Sequence, residues 1–108
     1  MDLSADFCSV QAVAAEGVVT IHVRGEIDLA TAPQLDAALG SVDDLGVEVD
    51  LSEMTFCDGS GLRVLERAHA RLGARLRVTG ASPFMRRLAG ILDMEWLAGD
   101  APGQAPVR

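Results

Sequence analysis

Apolar residues recur at every second position in three stretches of the chain, which is the pattern of a strand with one buried face. The stretches cover residues 18–24, 47–51 and 76–79. A weaker version covers residues 7–14, and the short turn at Glu16-Gly17 predicts that it pairs with the next strand as an antiparallel hairpin. The alternation therefore predicts four strands, each with one face in the core.

Between these strands the apolar period changes to that of a helix with one buried side. The first helix is predicted to begin at Thr31, which forms a capping box with Gln34, and to end at Gly40. The second extends from the turn at Ser60 to Gly73, and the third follows the capping residue Ser82. The expected inner faces are Leu35, Ala38 and Leu39 in the first helix, Leu62, Leu65, His69 and Leu72 in the second, and Phe84, Leu88 and Ile91 in the third.

The order of these elements predicts one α/β domain over residues 7–97. Strand–helix–strand units with short loops favour right-handed parallel crossovers. Because each strand has one apolar face, we expect a mixed β-sheet of about four to five strands with helices packed on one face. Residues 94–97 would add a last strand or an extended segment. Residues 1–6 are predicted to be flexible, and residues 98–108 to form a disordered tail, since they are small, polar and proline-bearing.

The opposite face of the sheet is expected to be polar. Glu48 and Asp50 would lie near Arg75 and Arg77 as cross-strand pairs. His22 is interpreted as an ordinary solvated residue of that face, because nothing in its surrounding sequence suggests a ligand or proton-transfer role.

Charge and cysteine content limit the partners. The formal net charge is −7, which argues against binding to nucleic acid or to an anionic membrane surface. The longest apolar runs are too short to span a membrane and the acidic start does not resemble a signal peptide, so we expect a cytoplasmic protein. Cys8 and Cys57 lack metal-ligand spacing, and no metal or other cofactor is predicted.

The turn from Asp58 to Gly61 places a hydroxyl at the start of a helix. Asp58 or Ser60 can act as N-cap, and Gly59 and Gly61 would let the backbone turn sharply and leave Ser60 uncrowded. A negative charge at this position would meet unpaired N–H groups and the positive end of the helix dipole. Ser60 is therefore either a capping residue alone or a site that accepts an anionic group.

Two blocks of sequence resemble the STAS domain of bacterial anti-sigma factor antagonists. DLSEMTFCDGSGLRVL, at 50–65, is similar to the family's Asp-Leu-Ser … Phe-x-Asp-Ser-Ser-Gly-Leu signature, with Gly59 in place of the first serine. GEID, at 25–28, followed by Thr31-Ala32-Pro33, resembles the segment before the family's first helix. The resemblance extends over about residues 7–97, and the family's usual further C-terminal helix is not expected here.

The resemblance implies a function and a set of site residues. Ser60 matches the family's phosphorylated serine, so the unphosphorylated chain would bind an anti-sigma factor serine kinase and free a sigma factor. Phosphorylation would end that interaction and a phosphatase would reset it. The expected partner-binding residues are Asp28, Asp58, Gly59, Gly61, Arg63 and Arg67. Asp28 is either part of this surface or a turn residue that satisfies local N–H groups. The family gives no reason to expect a catalytic residue.

Two other interpretations were weighed. A strand–turn–helix with a serine suggests a nucleophile elbow, but that motif needs glycine two residues either side of the serine, where Asp58 and Leu62 stand. His69 lies nine residues along the helix and cannot easily reach Ser60. Enzymatic activity is therefore not predicted. A STAS-type scaffold, or a regulatory subunit of a larger assembly or transporter without phosphorylation, stays open as the alternative.

Overall fold

A computed structural model describes residues 8–42 and 46–98. The elements follow in the order β1 (Cys8–Ala15), β2 (Val18–Ile27), α1 (Ala32–Gly40), β3 (Gly46–Cys57), α2 (Gly59–Leu72), a 3₁₀ turn (Gly73–Arg75), β4 (Leu76–Thr79), α3 (Pro83–Ile91) and α4 (Glu95–Ala98). The predictions for residues 1–6, for a strand start at residue 7, and for the tail after residue 98 lie outside the described residues.

The four strands form one mixed sheet in the order β1-β2-β3-β4. β1 and β2 are antiparallel, whereas β2 with β3 and β3 with β4 are parallel. The hairpin and the parallel crossovers expected from the pattern are confirmed. Glu16 and Gly17 both adopt positive φ, as a tight hairpin turn requires.

The core lies between the sheet and the helices, which pack on one face, as predicted. Inward side chains from β2, β3 and β4, with Cys8 at the start of β1, meet the buried residues of the main helices. The most completely buried large residues include Ile21, Ile27, Leu35, Leu39, Val49, Leu51 and Leu65. Burial of such aliphatic side chains is the main term that holds the domain together.

The open face of the sheet is polar, and Glu48 lies opposite Arg77 as expected, whereas Asp50 has a different partner. Asp50 lies beside His22, with 3.2 Å between Oδ2 and Nδ1, so His22 is a half-exposed residue of this face, as predicted, with a carboxylate neighbour that its surrounding sequence did not indicate. Register explains the change, because the parallel pairing of β2 with β3 sets His22 opposite Asp50. On the other side Glu48 is opposite Arg77, and the Thr79 hydroxyl donates to Glu48 over 3.4 Å.

Two element boundaries differ from the sequence prediction. β3 continues to Cys57 instead of ending near residue 51, because residues 53–57 still pair with β2 across two register irregularities. Residues 95–98 form a short helix and not a strand. Met94 and Leu97 are buried there, and Trp96 stacks on His69 with 4.2 Å between ring centroids.

The inner face of α3 was also predicted wrongly. Met85 and Ala89 are buried, whereas Phe84 is 66% exposed and Ile91 is 72% exposed. Phe84 belongs to the first turn of a short helix, and only the packing of that helix against the sheet decides which of two adjacent apolar residues points inward. Two large apolar side chains therefore remain at the surface.

Candidate functional site at the ends of strands β2 and β3

Strands β2 and β3 end together, and an aspartate follows each end. Ile27 pairs with Cys57, and the Asp58 N–H donates to the Ile27 carbonyl over 3.1 Å. Asp28 and Asp58 therefore each follow directly after one of two strand ends that are hydrogen-bonded to each other. The structure brings these two predicted site residues to the same rim of the sheet, where parallel α/β sheets commonly bind ligands.

Asp58, and not Ser60, is the N-cap of α2. Its backbone is extended, with φ −100° and ψ −170°, and its Oδ1 accepts the Ser60 N–H at 2.9 Å. The Ser60 hydroxyl donates to the same carboxylate oxygen. Ser60 therefore stands in the first turn of the helix, partly exposed, with its hydroxyl oriented by Asp58.

These hydrogen bonds keep Asp58 ionised. Donation from the Ser60 hydroxyl is the main cause that lowers the pKa of Asp58 below its ordinary value of 3.8, and backbone N–H groups of the first turn add to it. A negative charge consequently already occupies the position beside Ser60 at neutral pH.

The two glycines of the turn have different structural roles. Neither adopts positive φ, so the prediction that they let the backbone turn sharply was wrong. A Cβ on Gly61 would lie 2.5 Å from the Cys57 Sγ and 2.7 Å from the Ile27 Cγ2. A Cβ on Gly59 would meet nothing within 4 Å. Gly61 thus lets α2 begin directly against the two strand ends, whereas Gly59 is open to solvent.

Cys57 fills the space beneath this first turn. Burial is the main cause that raises the pKa of its thiol to about 11, with the charge of Asp58 adding to it. Its Sγ stands where a larger residue at Gly61 would need to fit. We therefore assign Cys57 a packing role at the start of α2.

Asp28 organises the loop that precedes α1. Its Oδ1 accepts from the N–H groups of Ala30 and Thr31 at 3.0 and 3.1 Å, and from the Thr31 hydroxyl. That hydroxyl also donates to the Glu26 carbonyl and accepts the Asp28 N–H, each over 2.9 Å. The turn-residue interpretation of Asp28 is thus met by the structure, while its contact with a partner stays a prediction.

The capping box predicted for Thr31 and Gln34 is wrong. Thr31 occupies the N-cap position of α1 but makes no side-chain capping bond. Its hydroxyl is committed to Asp28 and Glu26, and the residue is only 4% exposed. Tertiary burial has redirected a hydroxyl that local sequence assigned to the helix end.

All three arginines of α2 are exposed, and two of them also contact α1 or the residues that follow it. Arg67 approaches Asp36 on α1, with 3.5 Å between Nη2 and Oδ1, and both side chains are more than half exposed. Arg71 donates to the carbonyls of Leu39 and Val42 over 2.6 and 2.9 Å, so it holds the end of α1. Arg63 is exposed and forms no ion pair with any described residue.

A shallow cleft adjoins the Ser60 hydroxyl between α1 and α2. Its volume is about 240 Å³, and Ser60, Arg63 and Arg67 line it together with Leu29, Ala32 and Pro33. A second cleft of about 150 Å³, on the other side of the β3 end, is lined by Phe56, Cys57, Phe84 and their neighbours. Ser60 therefore lines the first cleft, and the second includes Cys57, three residues earlier in the chain.

Large apolar side chains are exposed around the same rim. Leu29 is 80% exposed in the loop after β2, Phe56 is 51% exposed near the end of β3, and Phe84 is 66% exposed in the first turn of α3. Sequence reasoning missed all three as surface residues. Their apolar character alone assigns them to a core, and only the fold shows that Leu29 lines the Ser60 cleft while Phe56 and Phe84 line the second cleft.

Within 8–42 and 46–98, no group of three or more His, Cys, Asp or Glu side chains is arranged to hold a metal ion. Over the same residues, no helix has the length and apolar character needed to cross a bilayer.

Comparison with known proteins identifies similar chains. The anti-sigma-F factor antagonist RsfB of Mycobacterium tuberculosis H37Rv is 33% identical over 64 residues, which are 56% of this chain and 52% of that protein. The chain thus spans about half the length of the curated relatives it matches.

Solved structures share the fold. A crystal structure of an anti-sigma factor antagonist from Mycobacterium paratuberculosis superposes with a TM-score of 0.76 at 27% identity, and covers 92% of this chain and 88% of that one. The phosphorylated form of the Bacillus cell fate determinant SpoIIAA gives a TM-score of 0.64 at 21% identity, over 78% of this chain and 83% of that one. At that identity the second likeness shows the fold alone.

A family model described as Mlab, STAS domain, matches residues 10–98, which include both strand ends and the Ser60 turn. This match covers most of the described chain and agrees with the mixed four-stranded sheet. The chain therefore belongs to the STAS domain family.

Proposed function

We propose that the chain is an anti-sigma factor antagonist controlled by phosphorylation of Ser60. Its unphosphorylated form binds an anti-sigma factor that is also a serine kinase, and a sigma factor is thereby released. The observation that carries the proposal is the placement of Ser60, a partly exposed hydroxyl in the first turn of α2 at the rim of the strand ends. The names of the related antagonists support it.

In this function the chain regulates and does not catalyse. The kinase would bind ATP and transfer its γ-phosphoryl group to the Ser60 Oγ. The bond from the γ-phosphorus to the β–γ bridging oxygen breaks, the Oγ–P bond forms, ADP leaves, and the hydroxyl proton passes to a base, so the hydrogen bond to Asp58 is lost. A phosphatase would remove the group. In the chain itself, α2 presents the hydroxyl and Asp58 orients it.

The switch follows from charge at the interface. A phosphoserine carries about −1.5 to −2 charges at neutral pH. Asp58 is already ionised beside it and occupies the Ser60 N–H, so a partner closed over this turn would enclose two adjacent negative groups. Juxtaposed like charges cost several kcal/mol in a desolvated interface, which is enough to separate the proteins.

The surface for the partner combines apolar and charged parts. Leu29, Phe56 and Phe84 provide exposed apolar anchors around Ser60. Arg63 lines the cleft beside Leu29 and Ser60, and Arg67 lies behind it in the same cleft. Exposed large apolar side chains next to charged ones are typical of specific protein–protein interfaces.

Arg63 is expected to steer association toward an acidic patch on the partner. Arg63→Glu should slow association several-fold and weaken the dependence of the association rate on salt, as a rim charge does. Arg77→Glu is the matched control, since Arg77 is an exposed arginine of β4 on the opposite face of the sheet. Stopped-flow binding at several salt concentrations compares the two. Equal effects of both reversals would remove Arg63 from the interface.

The phosphorylation test uses intact mass after expression in the native host. We expect one phosphoryl adduct on the wild-type chain and none on Ser60→Ala. Ser82→Ala is the control, because Ser82 is also an exposed serine at a helix start, where its Oγ accepts the Met85 N–H at 3.1 Å. An adduct that persists in Ser60→Ala would contradict the assignment.

The binding test measures affinity for the cognate anti-sigma factor by calorimetry. Ser60→Ala should bind like the wild type, and Ser60→Glu should bind at least about tenfold more weakly, or roughly 1.4 kcal/mol. Ala70→Glu, at an exposed position of α2 ten residues beyond Ser60, controls for the added charge. Unchanged affinity of Ser60→Glu would favour the alternative, a STAS scaffold that works without phosphorylation.

A further inference from the structure

The two edges of the sheet are protected to different degrees. β4 is an edge strand of four residues. Arg75 directly precedes its first residue, and Arg77 is its second residue. Short length and charge are the usual devices that prevent further strands from pairing with an edge. β1 is an edge of eight residues, CSVQAVAA, with no charged residue and no proline.

β1 is also regular along its whole length. Its pairing with β2 runs without a register shift from Cys8 opposite Gly25 to Ala15 opposite Val18. The irregularities of the sheet lie on the other side of β2, in its pairing with β3. β1 therefore lacks the bulge that would twist an edge away from a neighbour, and one row of its backbone N–H and C=O groups faces outward.

Exposed apolar side chains accompany this edge. Val13 is 54% exposed and Val18 is 42% exposed. Alternation along the hairpin places both on the open face of the sheet, because the neighbouring inward position Val19 is buried. The end of the hairpin thus presents apolar surface beside unpaired backbone.

We propose that β1 pairs with β1 of a second copy of this chain, antiparallel, to form a continuous eight-stranded sheet in a weak homodimer. Charge favours a second copy at this edge over other faces. The chain carries a net charge of −7, so two copies meet with the least repulsion at an edge that has few charges. Residues 8–23 contain one acidic residue, Glu16, and no lysine or arginine.

Symmetry fixes how the two strands can meet. A two-fold axis perpendicular to the sheet keeps the helices of both copies on one side and pairs residues of the same face. The two-fold axis can lie next to Gln11 or next to Ala12, and these two positions define two registers. In neither register do charged residues of the two β1 strands lie opposite each other. An interface formed by one pair of strands has a small area for a specific protein–protein interface. The dissociation constant of the dimer should therefore be on the order of micromolar.

The test places charge on the edge without touching the core. Gln11→Lys with Val13→Lys alters two exposed side chains and sets introduced lysines opposite each other across the dyad in both registers. Ala37→Lys with Ala70→Lys adds the same charge at exposed helical positions and serves as control. Sedimentation equilibrium should show dimer for the wild type and the control, and at least a tenfold weaker association for the edge variant.

Hydrogen exchange locates the contact. We expect alternate amides of β1 to gain protection as the wild-type concentration rises, with no such gain in the edge variant. A wild-type chain that stays monomeric at hundreds of micromolar overturns the proposal. So does a dimer that survives the edge variant, or β1 protection that is independent of concentration, which would mean that another segment of the same chain covers the edge. Binding of the anti-sigma factor is a separate measurement, so either proposal can fail alone.

Discussion

The loops that follow β2 and β3 use the same residue types in different ways. Each has an aspartate directly after the strand and a hydroxyl residue in or just before the helix that comes next. In the first loop the Thr31 hydroxyl is buried and bonded on both sides, to Asp28 and Glu26. In the second the Ser60 hydroxyl is partly exposed and bonds Asp58. Accessibility, and not residue type, separates a structural hydroxyl from one that a kinase could reach.

The two loops are nevertheless coupled, because Gly61 packs against the ends of both strands. Gly61→Ala would force a Cβ to within 2.5 Å of the Cys57 Sγ and 2.7 Å of the Ile27 Cγ2. We expect a loss of about 3 kcal/mol in the free energy of unfolding, the upper end for overpacking. Urea denaturation measures it.

Gly59→Ala is the control for that change, since a Cβ there has open space. Its stability should equal or slightly exceed that of the wild type, because alanine favours helix. Gly61→Ala combined with Cys57→Ala should recover part of the loss by removing the sulfur atom. Equal stabilities of the two single glycine variants would show that the helix start can shift freely, and that the strand ends do not fix it.

Removing each hydroxyl tests the contrast directly. Thr31→Val keeps the shape of the side chain but leaves the Asp28 N–H and the Glu26 carbonyl without their partner. An unsatisfied buried polar group costs about 1–3 kcal/mol, so we expect a loss near 2 kcal/mol in the free energy of unfolding. Ser60→Ala should stay within about 0.5 kcal/mol of the wild type. Similar losses in both variants would contradict the assignment of different roles.

At Asp28, the effect of the negative charge can be measured separately from the effect of the hydrogen bonds. Asp28→Asn retains an oxygen that can accept from the Ala30 and Thr31 N–H groups but removes the negative charge. If Asp28 contacts the anti-sigma factor, affinity should fall by about threefold, as for a rim charge, while the melting temperature changes little. Unchanged affinity would leave Asp28 as a turn residue only.

The smallest expected effect is on the titration of Asp58. Loss of the Ser60 hydroxyl donor in Ser60→Ala should raise the pKa of Asp58 toward 3.8. Because the folded-state pKa is lowered, this carboxylate stabilises the fold above the unfolded pKa and loses that contribution as pH falls through the folded value. In Ser60→Ala this contribution should therefore be smaller, and its loss should be complete at a higher pH, while the onset near the unfolded pKa stays the same. Carboxyl-resolved NMR titration measures the shift, and identical titration curves would show that the hydroxyl does not bond Asp58 in solution.

Much of this architecture could be predicted from residue pattern alone. Period-two alternation around Val19, Ile21 and Val49 determined the strands and their inner face, since a strand side chain has only two directions. The turn at Glu16-Gly17 and the helix start near Asp58-Ser60 are local signals, and local hydrogen bonding decides them. The element order then left one favoured handedness for each crossover.

What the pattern could not decide depends on contacts between distant parts of the chain. Phe84 and Met85 have similar apolar character, and only the docking of α3 exposed the first and buried the second. Strand register places Asp50 beside His22, and helix packing brings Arg71 into contact with the end of α1. The hydroxyls of Thr31 and Ser60 looked equivalent as helix-capping groups, yet burial committed one to the fold and left the other at the rim. Sequence by itself determined which residues could bear the chemistry, and tertiary packing determined which of them face solvent, because exposure is a property of neighbours that are far apart along the chain.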